Sequence, residues 1–133
     1  MNLKLLFLFS IIFLTITLTA CKSNKKTHLA SYNTITTTKA KEMMDENSDI
    51  IILDVRTLEE YNEGHIDGAL LIPDYQLLDK AETVLTNPSA TILVYCRSGR
   101  RSAIAAKNLA DLGYSNIYDF GGILDWEYDI VID

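Results

Sequence analysis

Residues 91–112, TILVYCRSGRRSAIAAKNLADL, join a five-residue apolar run to a helix-spaced apolar pattern through one short loop, and no other stretch restricts the fold as much. The run 91–95 reads as a buried strand. Residues 102–112 then place Ala103, Ala106, Leu109 and Ala110 at helical spacing, with Gly113 positioned to stop the helix. The intervening CRSGRRS puts Cys96 where a helix start leaves backbone N–H groups unpaired and where the positive end of the helix dipole lies. Such a setting complements negative charge on sulfur. Three of the four arginines in the chain, Arg97, Arg100 and Arg101, fall within five residues of Cys96. A cysteine closing an apolar strand is ordinarily a small core residue. The arginines change that reading: like charges repel, and a purely structural turn has no reason to gather them. The loop suits a reactive sulfur and an anionic partner.

The 133 residues make room for one domain, and 48% apolar with 23% charged residues is ordinary globular composition. A net charge of -6 argues against general nucleic-acid binding, which needs a broad basic surface rather than one basic loop. The first twenty residues stand apart. Lys4 precedes the nearly unbroken apolar stretch 5–18, and Leu18-Thr19-Ala20-Cys21 follows, which is a secretory signal by composition. Its last four residues resemble the bacterial lipobox, which implies a signal peptide over 1–20 and a lipidated Cys21 at the mature N-terminus. The competing reading is an uncleaved membrane helix, and either one tethers the domain to a membrane. The expected location is the bacterial cell envelope. Lipidation would leave Cys96 as the only thiol of an exported protein, unable to form an internal disulfide and better kept for reactivity than for packing. Residues 21–33, with Lys22, Lys25 and Lys26 and no apolar periodicity, read as a flexible tether, and 34–133 as the folded domain. Cys21, His28, His65 and Cys96 lack the spacing of metal ligands, so no metal and no cofactor is expected.

Within the domain, hydroxyl residues before Ala40, Met43 and Met44 predict a short helix over 36–47. Residues 49–55, DIIILDV, form a strand without polar alternation, which belongs inside a sheet covered on both faces. Thr57 and Glu60 match a capping box opening a helix that ends near Gly64. A short strand at 69–72, a helix at 76–85 and a turn at Asn87-Pro88-Ser89 lead to the central strand. A further strand at 115–120 is expected to break at Gly121-Gly122, and 123–128 to close with a turn or two of helix. Strands alternating with helices give a parallel α/β sheet with right-handed crossovers, and ligands of such sheets sit beyond the carboxyl ends of strands. That edge receives both Cys96 and the fourth arginine, Arg56.

Ile52-Leu53-Asp54-Val55-Arg56, Glu59-Glu60-Tyr61, Gly64-His65-Ile66, Gly68-Ala69, CRSGRRS, Leu112-Gly113-Tyr114 and Gly121-Gly122 with Trp126 stand in the order found in single-domain rhodaneses. From about residue 35 to 128 the chain resembles that sulfurtransferase family. The resemblance implies a central five-stranded parallel sheet flanked by helices. It also implies that Cys96 carries sulfur as a persulfide, taken from a small donor such as thiosulfate and passed to cyanide, a thiol or a thiol-carrying protein. Arg97, Ser98, Gly99, Arg100 and Arg101 would then surround the bound sulfur, and Arg56 matches a substrate-binding arginine of the larger relatives.

The structural alternative for Arg56 is an ion pair with Glu60 or Asp54. His65, Tyr95 and Trp126 read as structural. Family members acting on phosphate or arsenate resemble a loop with five residues between cysteine and arginine, whereas four separate Cys96 from Arg101, so sulfur transfer is preferred. Two-domain thiosulfate enzymes resemble a pattern with lysine where this chain has Ser98, which loosens the donor assignment. A persulfide relay or protein-interaction module without small-molecule turnover is the remaining alternative.

Overall fold

The computed structural model describes residues 30–132, so the expected signal peptide over 1–20, Cys21 and most of the basic stretch behind it lie outside the described residues. In chain order the elements are β1 (Asn33–Thr34), α1 (Thr37–Glu46), β2 (Ile51–Asp54), α2 (Leu58–Asn62), β3 (Leu70–Leu71), a 3-10 turn (Asp74–Gln76), α3 (Leu77–Val84), β4 (Thr91–Cys96), α4 (Arg100–Asp111), β5 (Asn116–Gly122) and a second 3-10 turn (Ile123–Asp125). The strands form one sheet in the order β1-β5-β4-β2-β3, and every pair is parallel. This is the five-stranded α/β architecture that the sequence and the family resemblance led us to expect.

The apolar strands are central because both of their faces are covered. On one face Leu53, Val55, Ile92 and Val94 pack with Leu77 and Ala81 of α3 and with Ala105, Ala106 and Leu109 of α4. On the other, Leu93, Tyr95 and Phe120 pack with Ala40 of α1 and with Ile66. Alternate side chains of one strand therefore feed two separate cores. Local signals set where the helices start. Thr36 caps α1 by accepting the Lys39 N–H at 3.1 Å, and Thr57 with Glu60 forms the reciprocal capping box of α2.

Three features differ from the expectation. Gly121-Gly122 does not break the last strand. Val94 pairs with Asp119 but Cys96 pairs with Gly122, so one extra residue on β5 is taken up as a bulge and pairing resumes. The expected closing helix over 123–128 is a single 3-10 turn, Ile123–Asp125, after which the chain runs back until Val131 bridges His65. The fifth strand, β1, comes from polar Asn33–Thr34 at the expected end of the tether, paired to Tyr118 and Asp119 of β5. A two-residue edge strand held by backbone hydrogen bonds needs no apolar pattern.

Candidate active site

Parallel strands deliver their carboxyl ends to one edge, and there β4 ends in Cys96, whose side chain is 1% exposed. The loop turns back over the sulfur: the Gly99 N–H donates to Cys96 Sγ at 3.0 Å. Gly99 adopts φ 104, a left-handed conformation that side-chain-bearing residues rarely take, and directly precedes α4. As at any helix start, the N–H groups of Arg100 and Arg101 have no intrahelical acceptor. Ser102 lies beneath, its Oγ 3.6 Å from Cys96 Sγ and within 3.0 and 3.2 Å of the carbonyl oxygens of Gly99 and Gly121. The Cys96 sulfur thus sits in a cup formed by the loop and the start of α4.

The bulge in β5 holds the outer side of that cup. A Cβ on Gly122 would lie 2.2 Å from the Arg97 carbonyl oxygen, so only glycine lets β5 approach the loop this closely. Next to it the Leu124 N–H donates to the Arg97 carbonyl at 3.2 Å. Ser102 and Gly122 were not singled out as site residues from the sequence, although both stand inside motifs that were.

The four arginines separate into two kinds. Arg101 is committed to a two-pronged ion pair, its Nη1 and Nη2 each 2.7 Å from a Glu60 carboxylate oxygen. That hydrogen-bonded pairing holds the Glu60 carboxyl at about 2, well below the usual range, and raises the Arg101 guanidinium. Arg56 is 4% exposed. Its Nε and Nη2 donate to the Asp54 carboxylate, Nη2 also to the Gly64 carbonyl and Nη1 to the Glu60 carbonyl. Burial opposes the Arg56 charge, and the Asp54 carboxylate outweighs it, leaving the guanidinium above its ordinary value. Of the two partners anticipated for Arg56, Asp54 takes the side-chain role, while Glu60 contributes only its backbone oxygen and gives its carboxylate to Arg101. Arg97 and Arg100 are exposed and form no ion pair among the described residues. These two are the uncommitted cations of the loop, beside exposed Ser98.

Of the residues read as structural, Tyr95 and His65 are buried, while Trp126 is only half-buried at the edge of the core and lines two clefts. Tyr95 is fully buried, accepts the Ile66 N–H at 3.2 Å and lies 5.5 Å below the Arg56 guanidinium; burial and then the Asp54 carboxylate push its phenol up. His65 stacks on Tyr61 at 3.6 Å between ring centres and exchanges backbone hydrogen bonds with Val131. Two clefts flank the C-terminal segment and share Trp126 and Tyr128. The larger, about 570 Å³, lies toward α1 and includes no residue of the Cys96 loop. The smaller, about 350 Å³, has Arg97 in its wall.

The chain is similar in sequence and in fold to known proteins. The chain is 34% identical over 73 residues to the thiosulfate sulfurtransferase PspE of Escherichia coli, covering 55% of this chain and 70% of PspE. It is 34% identical over 87 residues to the putative sulfur carrier protein YrkF of Bacillus subtilis, covering 65% of this chain but less than half, 46%, of YrkF. The rhodanese-like domain protein of Staphylococcus aureus superposes with a TM-score of 0.68 at 30% identity, covering 76% of this chain and 98% of that one. The family described as the rhodanese-like domain matches residues 36–129, which span every strand of the sheet but β1 together with the Cys96 loop, and the chain belongs to that family.

Proposed function

We propose that the domain is a sulfurtransferase that carries sulfane sulfur on Cys96. The observation that carries this reading is the loop itself: a buried cysteine sulfur receiving a backbone N–H at 3.0 Å, beside two exposed arginines that form no ion pair among the described residues. In the first half-reaction the Cys96 thiolate attacks the outer sulfur of an anionic donor such as thiosulfate. The S–S bond of the donor breaks, sulfite leaves with the electron pair, and Cys96 holds a persulfide. In the second, a thiophile such as cyanide or a thiolate attacks the outer sulfur, and the electron pair returns to Cys96. Charge stays at the sulfur throughout, so fixed N–H donors and nearby cations act without reorganising. Two half-reactions through a covalent intermediate predict ping-pong kinetics. The names of PspE and YrkF support sulfur transfer and sulfur carriage as the chemistry.

The test is intact mass of the purified chain before and after thiosulfate, then thiocyanate release on adding cyanide. A gain of one sulfur that cyanide removes, absent in Cys96→Ser, supports the enzyme reading. Loading only from a persulfide donor supports a protein-to-protein relay, and no loading from either overturns both. Turnover of a phosphate ester or arsenate instead would restore the alternative disfavoured by loop length.

We further propose that the domain works at the cell envelope, anchored through a lipidated Cys21, from the lipobox-like ending at residues 18–21. A mature N-terminus whose mass equals diacylated Cys21 supports this, and an unmodified start elsewhere removes it.

A further inference from the structure

We propose that the physiological sulfur acceptor is a protein segment carrying a cysteine between an apolar and an acidic residue, seated in the cleft beside Arg97. This rests on the sulfurtransferase reading above. The cleft, about 350 Å³, runs from Arg97 along Leu124, Trp126, Tyr128 and Ile130 to Gly64. Its apolar wall is attached to the loop, because the Leu124 N–H donates to the Arg97 carbonyl at 3.2 Å. Leu124, beside the loop, is 65% exposed and Ile130, toward Gly64, is 48% exposed, so large aliphatic groups of the cleft wall stand in water. Thiosulfate and cyanide have no apolar surface to lay against them, whereas an aliphatic side chain of a peptide does.

Charge specifies the other flank. Arg97 and Arg100 are exposed and unpaired among the described residues, on a chain of net charge -6, so they attract an acidic neighbour of the incoming thiol. Glu60 also lines the cleft but is engaged by Arg101, and Glu63 stands in the wall too, which disfavours a carboxylate there and directs it to the loop. Cys96 is 1% exposed, so the acceptor meets the outer sulfur of the persulfide rather than Sγ. The acceptor thiolate bonds to that sulfur, the bond to Cys96 Sγ breaks with its electron pair returning to Cys96, and the acceptor leaves as the persulfide.

The test uses the chain loaded with sulfur at Cys96, loading being verified by mass, and three short peptides. The first has one cysteine between glutamate and leucine; in the others serine replaces the leucine, or lysine replaces the glutamate. Cyanide serves as the small acceptor. The first peptide should accept sulfur about tenfold faster than either variant, the scale on which burying one aliphatic side chain changes an equilibrium. Added salt should reduce only the glutamate advantage. Leu124→Ser and Ile130→Ser should each erase the leucine advantage while transfer to cyanide stays within about twofold, which also shows that the variants fold. Equal rates for the three peptides, or equal losses toward peptide and cyanide, overturn the docking proposal and leave the sulfurtransferase reading standing. A chain that never loads sulfur overturns both.

Discussion

β2 and β4 lie side by side, and each is followed within two residues by an arginine at the same edge of the sheet, yet the two ends serve opposite purposes. At the end of β2, Arg56 is buried and its Nε, Nη1 and Nη2 all donate to protein oxygens. At the end of β4, Arg97 and Arg100 stand in solvent without an ion pair among the described residues, while the sulfur they flank is the buried element. One end is a closed electrostatic unit that holds Gly64 and the α2 region in place. The other leaves its positive charge uncommitted beside a sulfur. Arg101 joins the two, since its partner Glu60 belongs to α2 and caps that helix through Thr57. The lesson is that proximity in sequence to the cysteine does not decide which arginine is available to a ligand; the position of the nearest carboxylate does.

Breaking the closed end should have the largest effect. Arg56→Ala leaves the Asp54 carboxylate buried without its cation, and should destabilise the domain by about 3–5 kcal/mol in urea unfolding. A loss under about 1 kcal/mol would mean that water reaches Asp54 and the two ends are less different than they look. Gly122→Ala comes next. The added methyl cannot coexist with the Arg97 carbonyl at 2.2 Å, so the loop must shift, at a cost of about 1–3 kcal/mol and with persulfide formation severely slowed. Full sulfur loading by this variant would show that the cup tolerates displacement.

The link between the ends should respond to pH. The folded-state value of Glu60 is depressed from 4.5 to about 2, so its stabilisation is present above pH 4.5 and lost as pH falls from about 4.5 toward 2. Glu60→Gln should therefore cost about 1 kcal/mol near pH 6 and progressively less as pH falls toward and below about 2, measured as the difference in unfolding midpoints along a pH series. A cost unchanged across that series would assign the effect to the cap of α2 rather than to Arg101. The open end should be the least sensitive in stability. Arg97→Ala and Arg100→Ala should each fall within about 0.5 kcal/mol of the parent while raising the KM for thiosulfate, with a weaker salt dependence than the parent. A large stability loss in either variant would remove the contrast.

Much of this site was legible in the chain because it is written locally. CRSGRRS between an apolar run and a helix-spaced pattern places a sulfur, a left-handed glycine and a helix start within a few residues, and no distant partner is needed to bring them together. The capping signals at Thr36 and at Thr57 with Glu60 are local for the same reason. What was not legible depends on long-range pairing. β1 is held at Tyr118 and Asp119, more than eighty residues away, so nothing at Asn33–Thr34 announces it. Gly121-Gly122 reads as a strand breaker because two glycines usually are one. Here the second is needed where β5 touches the loop, and the loop is a feature of another strand.

The sequence alone determined the alternation of strands and helices, the two-sided burial of β2 and β4, and Cys96 at a strand end, because periodicity, capping and strand-to-helix order are set by neighbours along the chain. Only the tertiary structure decided which arginines are committed. Asp54 stands only two residues from Arg56 and was within reach of the sequence, whereas the Gly64 carbonyl meets Arg56 from eight residues on and the Glu60 carboxylate reaches Arg101 across a separation of 41 residues. The Glu60–Arg101 pair is decided by distance in space, and that distance exists only once the sheet has formed.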